Sequence, residues 1–185
     1  MKLKKKVKKR INIIIISVVV LIIAVVGFLA YKRFFDNNAT PTKTKVVDKI
    51  SDYGYELEED STKEYKKLFE ELRNLLAKEE FDEEEYASLV ARLLVLDFYN
   101  LDNKISKNDI GGVQFIRSDQ QKNFILEASE TVYKYIEHNV YGNRTQELPI
   151  ISKVETEEVK ETTYKYKDIS DEKAYKVIVN VTYEK

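Results

Sequence analysis

Twenty consecutive residues, Ile11 to Ala30, contain only Asn12 and Ser17 as polar side chains. A helix of that length is about 30 Å long, the thickness of the hydrocarbon layer of a bilayer. Ile and Val favour strands in water, but lipid forces each backbone amide to pair within its own segment. The pattern therefore predicts a membrane-spanning helix over residues 11–31. From Ser61 onward the apolar spacing becomes that of amphipathic helices. Tyr65, Leu68, Phe69, Leu72, Leu75 and Leu76 make one stripe, opened by a capping box at Ser61 and Glu64 and ending near Lys78. A second box at Asp82 and Glu85, with a hydrophobic staple of Phe81 and Tyr86, opens the next helix. Its stripe of Tyr86, Leu89, Val90, Leu93 and Leu94 is widened by Val95, Leu96 and Phe98 until it is apolar almost all round. That predicts burial on every side.

The pattern breaks at 100–112, where Asn, Asp and the pair Gly111 and Gly112 predict a loop. Val113 to Arg117 alternates and predicts a short strand. Ser118 to Gln121 then caps a third helix, whose stripe is Phe124, Ile125, Ala128, Val132, Tyr135, Ile136 and Val140, with Gly142 as its stop. The remainder is rich in Thr, Val and Tyr. A long strand from Leu148 to Lys167, with a bulge near Glu157 and Glu158, leads through a turn at Asp168 to Asp171 into a last strand. There Tyr175, Val177, Val179, Val181 and Tyr183 alternate with Lys176, Ile178, Asn180, Thr182 and Glu184. The expected architecture is α+β: a transmembrane helix, then an α-α-β-α-β-β domain with three helices packed on a small antiparallel sheet. Its segments are a basic tail at 1–10, the span at 11–31, a linker at 32–60 carrying Pro41, and the domain at 61–185.

Charge gives the span a direction. Residues 1–10 hold seven bases and no acid, so that end is expected in the cytoplasm and the domain outside the cell membrane. A cleaved signal peptide has a shorter apolar run and a small residue where Phe28 stands, which favours an uncleaved anchor. Residues 1–35 hold nine of the 31 bases and none of the 32 acids. The other 150 residues therefore carry 22 bases against 32 acids, a net charge of −10. So acidic a domain argues against nucleic acid as partner. With no cysteine there are no disulfides, no thiolate chemistry and no lipoprotein anchor.

The order of elements resembles the nuclear-transport-factor-two-like (cystatin-like) superfamily, in which a short strand between the second and third helices precedes long strands. With the basic tail and single span, the layout is also similar to bitopic assembly-factor subunits of type IV secretion and conjugation machines. The runs Leu96–Ile105, Gly111–Phe115 and Tyr141–Pro149 are similar to stretches in uncharacterised membrane-anchored proteins of Gram-positive bacteria. The resemblance implies a bacterial envelope protein working by contact. Two long strands, fewer than that fold carries, imply a thin sheet, one completed by a partner strand, or a shortened member of the fold.

Chemistry is sparse. The single histidine, His138, has no nucleophile or metal partner in view, and no phosphate-binding or acyl-transfer motif is present. Asp97, Asn100, Asp102, Asn103, Asn108 and Asp109 supply oxygens in one neighbourhood, but their spacing departs from a calcium loop and suits turn formation. No catalytic residue, cofactor or metal is expected. Of the thirteen tyrosines, Tyr133, Tyr135 and Tyr141 cluster at the end of the third helix. Tyr164, Tyr166, Tyr175 and Tyr183 fall on the terminal hairpin. Tyr164, Tyr166, Tyr175, Val177, Val179 and Tyr183 are therefore the candidate interaction residues, on a hairpin edge that would meet a protein partner or another copy. The alternative is a small-ligand site between sheet and helices, and an enzyme on the same fold is the third reading.

Overall fold

The computed structural model describes residues 44–166 and 168–184, together with Val25 and Val26. The predicted basic tail, nearly all of the predicted span and the first part of the linker lie outside the described residues. Among the described residues no helix is long and apolar enough to cross a membrane.

Part of the stretch assigned to the linker is folded. Strands β1 (Val46–Ile50) and β2 (Tyr55–Glu58) pair antiparallel, Ile50 opposite Tyr55 and Lys49 opposite Glu56. Gly54, at φ 72°, makes the turn between them, a conformation that suits glycine. Alternation sends Tyr55 and Leu57 into the core, and Lys49 meets Glu56 at 2.9 Å outside it.

Helix α1 (Lys63–Leu76) begins one residue later than its capping box suggested. The Thr62 hydroxyl, not Ser61, accepts from the Tyr65 amide at 3.1 Å. Its stripe buries Tyr65, Leu68, Phe69, Leu72 and Leu75 as expected. Helix α2 (Glu83–Tyr99) opens at Asp82, whose carboxylate accepts from the Glu84 and Glu85 amides. The staple rings of Phe81 and Tyr86 lie 5.6 Å apart. Leu89, Leu93 and Leu96 join the α1 stripe in one core, and Arg92 reaches Glu71 across the two helices at 3.4 Å. The opposite side of α2 meets the long hairpin, where the Ser88 and Thr156 hydroxyls are 2.6 Å apart. Contact on two sides explains its all-round apolar pattern.

Two expectations fail in the middle of the chain. Val113–Phe115 is a single 3-10 turn, not a strand. Gly112, at φ 75°, starts it, and the Phe115 and Ile116 amides close onto Gly112 and Val113. Helix α3 (Gln121–Glu130) stops ten residues before the predicted end at Val140. Thr131 leaves helical geometry (φ −121°, ψ −94°) and its hydroxyl bonds the Glu127 carbonyl at 2.6 Å. The chain then turns so that Tyr133 and Ile136 are buried while Val132, Tyr135 and Val140 are exposed. Residues 131–150 have no regular structure. The buried Arg144 side chain anchors them by donating to the carbonyls of Asp102 (2.6 Å) and Lys104 (2.7 Å). Gly142 has positive φ as expected, but in a local turn closed onto Asn139.

Strands β3 (Ile151–Tyr166) and β4 (Ile169–Tyr183) form the predicted long hairpin, and one of its bulges falls at Thr156–Glu158 where the sequence placed it. The turn is tighter than expected, since β4 begins at Ile169. Ile151 and Val154 are buried in the main core, with Val179 and Val181 packed against it. From Lys160 to Tyr166 every β3 residue is exposed, whereas Ala174 and Tyr175 on the facing stretch of β4 are half-buried. The class is α+β with three helices, as expected. The described order is β-β-α-α-α-β-β, and the strands form two separate two-stranded sheets in place of one.

Candidate functional site

The hairpin sorts its candidate residues into two groups. Tyr175, Val177 and Val179 run along one side of β4 and are half-buried, and the Tyr175 hydroxyl donates to Glu83 at the start of α2 (3.1 Å). Loss of solvent and that bond to a carboxylate raise the Tyr175 pKa. Tyr164, Tyr166 and Tyr183 are exposed. They do not form one patch: Tyr183 pairs with Ile151 at the base, whereas Tyr164 and Tyr166 pair with Asp171 and Ile169 at the tip. Of the other tyrosines, Tyr133 is buried, and Tyr135 (77 % exposed) and Tyr141 (82 %) stand clear of the surface.

What all six share is proximity to open strand edges. Each sheet has only two strands among the described residues, so β4 has no described neighbour on its outer side. The Glu184 amide donates to the Ile150 carbonyl and the Thr182 carbonyl accepts from the Ser152 hydroxyl, so even-numbered residues at this end of β4 turn their backbone toward β3. The bulges at Ser152 and Glu157 lie on β3, and β4 runs regularly from Ala174 to Tyr183. Backbone alternation then aims the amides and carbonyls of Tyr175, Val177, Val179, Val181 and Tyr183 outward. The shorter β2 is treated differently. The Gln114 side-chain amide accepts from the Glu56 N–H (2.7 Å) and donates to the Glu56 carbonyl (3.2 Å) and the Tyr65 hydroxyl (2.7 Å), mimicking a paired strand.

The Asp- and Asn-rich loop turns its oxygens onto protein donors. Asp97 takes the Lys104 ammonium on one oxygen and the Gly112 amide on the other, both at 2.6 Å. Asn100 caps the Ile151 amide (3.0 Å), Asp109 the Ile105 amide (2.8 Å), and Asp102 lies 3.7 Å from Arg144. The cation at the centre of this loop is Lys104 itself. The Tyr133 hydroxyl donates to the Phe98 carbonyl (2.6 Å) and accepts from the Gly111 amide (3.1 Å), closing the loop onto the second core. Sequence reasoning missed Lys104, Gln114 and Arg144, because nothing local distinguishes a polar side chain that will be buried. His138 is exposed. Among the described residues no group of three or more acids or histidines is placed to hold a metal.

Two predictions follow from the loop. A methyl group on Gly111 would lie 2.2 Å from the Asp97 carbonyl oxygen, and backbone cannot move aside cheaply. Gly111→Ala is expected to cost about 1–3 kcal/mol by overpacking, read as a lowered denaturant midpoint. Gly54→Ala, with open space around it and only its positive φ to oppose, should cost about 1 kcal/mol. Equal losses at both sites would refute the close approach. The second concerns Glu58. Reduced solvation of its carboxyl, then Asp60, Asp97 and Asp109, raise its pKa against the opposing pull of Lys104. A raised carboxyl favours folding below its ordinary titration range and loses that contribution as pH rises through the shifted value. Glu58→Gln should therefore stabilise the domain at neutral pH and give no gain in acid, by paired denaturation at both pH values. A gain at acid pH equal to that at neutral pH would contradict it.

No family model, curated protein or solved structure matches this chain. The superfamily resemblance therefore rests on element order, and the short strand it used is the 3-10 turn at Val113–Phe115.

Proposed function

We propose that this chain is a single-pass protein of the bacterial cell envelope whose acidic domain lies outside the membrane and acts by docking, without catalysis. The observation that carries the reading is the outer edge of β4, which no described strand covers. Outward amides on a long, regular strand are a template for another strand, and recognition by strand addition uses that template. The apolar run at 11–30 and the bases before it supply the anchor and its direction. The architecture suits an assembly component similar to the bitopic subunits of secretion machines.

The test is the mass of the full-length protein in mild detergent, with Val177→Pro as the variant. Proline removes one outward N–H and leaves the ladder to β3 intact, as an edge strand tolerates. The expected result is an assembly larger than one chain that Val177→Pro dissolves, with circular dichroism unchanged. A lone wild-type chain overturns docking. Topology is checked separately: Ser170→Cys, in a chain without other cysteines, should react with a membrane-impermeant maleimide on intact cells.

A further inference from the structure

We propose that the strand received by β4 is β4 of a second copy, paired antiparallel about a two-fold axis at Asn180. This rests on the docking reading and names its partner. Charge complementarity along the open edge selects that partner and its register. Between Ala174 and Glu184, the residue that follows the end of β4 and still donates its amide to Ile150, only two side chains are charged, Lys176 and Glu184. They lie on the same face of the strand, with Ile178, Asn180 and Thr182 between them, opposite the face that carries Val177, Val179 and Val181.

A two-fold axis perpendicular to the sheet pairs residues of like face, so each register is defined by the residue that meets its own copy. Centring on Lys176 sets two ammonium groups against each other. Centring on Val177, Ile178, Val179 or Val181 leaves both charges opposite neutral residues or beyond the regular stretch. Centring on Asn180 places Lys176 of each copy opposite Glu184 of the other, twice over. Opposite charges directly across a pair of strands are stabilising and like charges are not.

The same register completes the apolar face. Val179 meets Val181 and Val177 meets Tyr183, and these are the residues whose amides point outward, so the new ladder and the new contacts coincide. Val177, Val179 and Val181 are only half-buried in the single chain, and Tyr183 is exposed. Pairing would make one four-stranded sheet in the order β3-β4-β4-β3, moving the hairpin out of the two-stranded class that is marginal alone in water.

The chain has no cysteine, which makes the test clean. Asn180 would sit opposite itself at a position without backbone hydrogen bonds, where Cα atoms are about 4.5 Å apart, within reach of a disulfide. Full-length Asn180→Cys in mild detergent is expected to oxidise to a covalent dimer. Lys176→Cys should stay monomeric, because its copy lies eight residues away along the strand, about 27 Å. Lys176→Glu should weaken the uncrosslinked dimer at least tenfold, and adding Glu184→Lys should restore it. Equal crosslinking at 176 and 180, or failure of the charge exchange to restore the dimer, overturns the register. A monomeric Asn180→Cys protein that Val177→Pro still releases from a larger assembly means β4 receives a different chain: self-pairing falls and docking stands. A protein monomeric in both experiments removes both readings.

Discussion

Asp97→Ala is expected to cost about 3–5 kcal/mol of folding stability, because it leaves the Lys104 ammonium buried without its counter-charge. The Lys104 side chain is 7 % exposed and its nitrogen lies 2.6 Å from Asp97. The same substitution strips the Gly112 amide of its acceptor, so two donors are abandoned at once. The reverse deletion is not symmetric. The Asp97 side chain is 26 % exposed, and after Lys104→Met its carboxylate keeps the Gly112 amide and some water. Lys104→Met should therefore cost much less, since the large penalty for breaking such a pair comes from a charge left buried and uncompensated, and the Asp97 carboxylate is not left so. Urea denaturation of the two variants checks the asymmetry. Equal losses would mean that the pair acts as a surface ion pair and that Lys104 finds water.

Phe69→Ala is expected to cost a comparable amount, about 3–5 kcal/mol, for a different reason: removal of a buried aromatic ring leaves a cavity that rigid neighbours cannot fill. Phe69 has no exposed surface and lies in the main core with Leu72, Leu93 and Val154. Tyr65 stacks on it with ring centres 6.5 Å apart, and the Arg73 guanidinium lies 5.6 Å above it. Arg73 also pairs with Asp48 of β1, so the ring supports the contact that ties the first hairpin to α1. Phe69→Leu should recover most of the loss by restoring volume. A loss below about 1 kcal/mol for Phe69→Ala would show that the site collapses freely, contrary to close packing.

These two residues mark what could be read in advance. Phe69 was legible because helical period is a local signal: six apolar residues at spacings of three and four admit one face and one role. The Asp82 cap and the bulge beside Glu157 were legible for similar reasons, each needing only a few adjacent residues. Asp97 was visible only as one oxygen among several. Its meaning depends on Lys104 folding back seven residues later, which no periodicity encodes.

The failures have the same origin. Val113 and Phe115 alternate like a strand, but Gln114 between them spends its amide on Glu56, 58 residues earlier, and that tertiary bond suits a turn. The third helix continues on paper to Val140. In the protein Tyr133 leaves the helical path to place its hydroxyl between Phe98 and Gly111. The first hairpin escaped notice because strands of five and four residues, with four of the nine charged, carry too few alternations to stand out from a linker. On the long hairpin the sequence named residues of one open edge, and the structure divides them between base, flank and tip.

Every strand pairing in the described domain joins neighbours in sequence, β1 with β2 and β3 with β4, and α1 packs on the helix that follows it. Loop closure is therefore short at nearly every step, and chains with such local wiring reach the native state quickly. Distant joins then tie these pieces together: Ile151 and Val154 against the helical core, Ser88 to Thr156, Asn100 to Ile151, Tyr175 to Glu83, and the Gln114 bridge to Glu56. The order of events that follows is two hairpins and a helix pair formed independently, with docking of the long hairpin as the slow step. A chain wired in this way exposes the outer edge of β4 from the moment the hairpin closes; on the docking proposal, the rate of finding a partner strand, not the rate of folding, sets how long that edge stays bare.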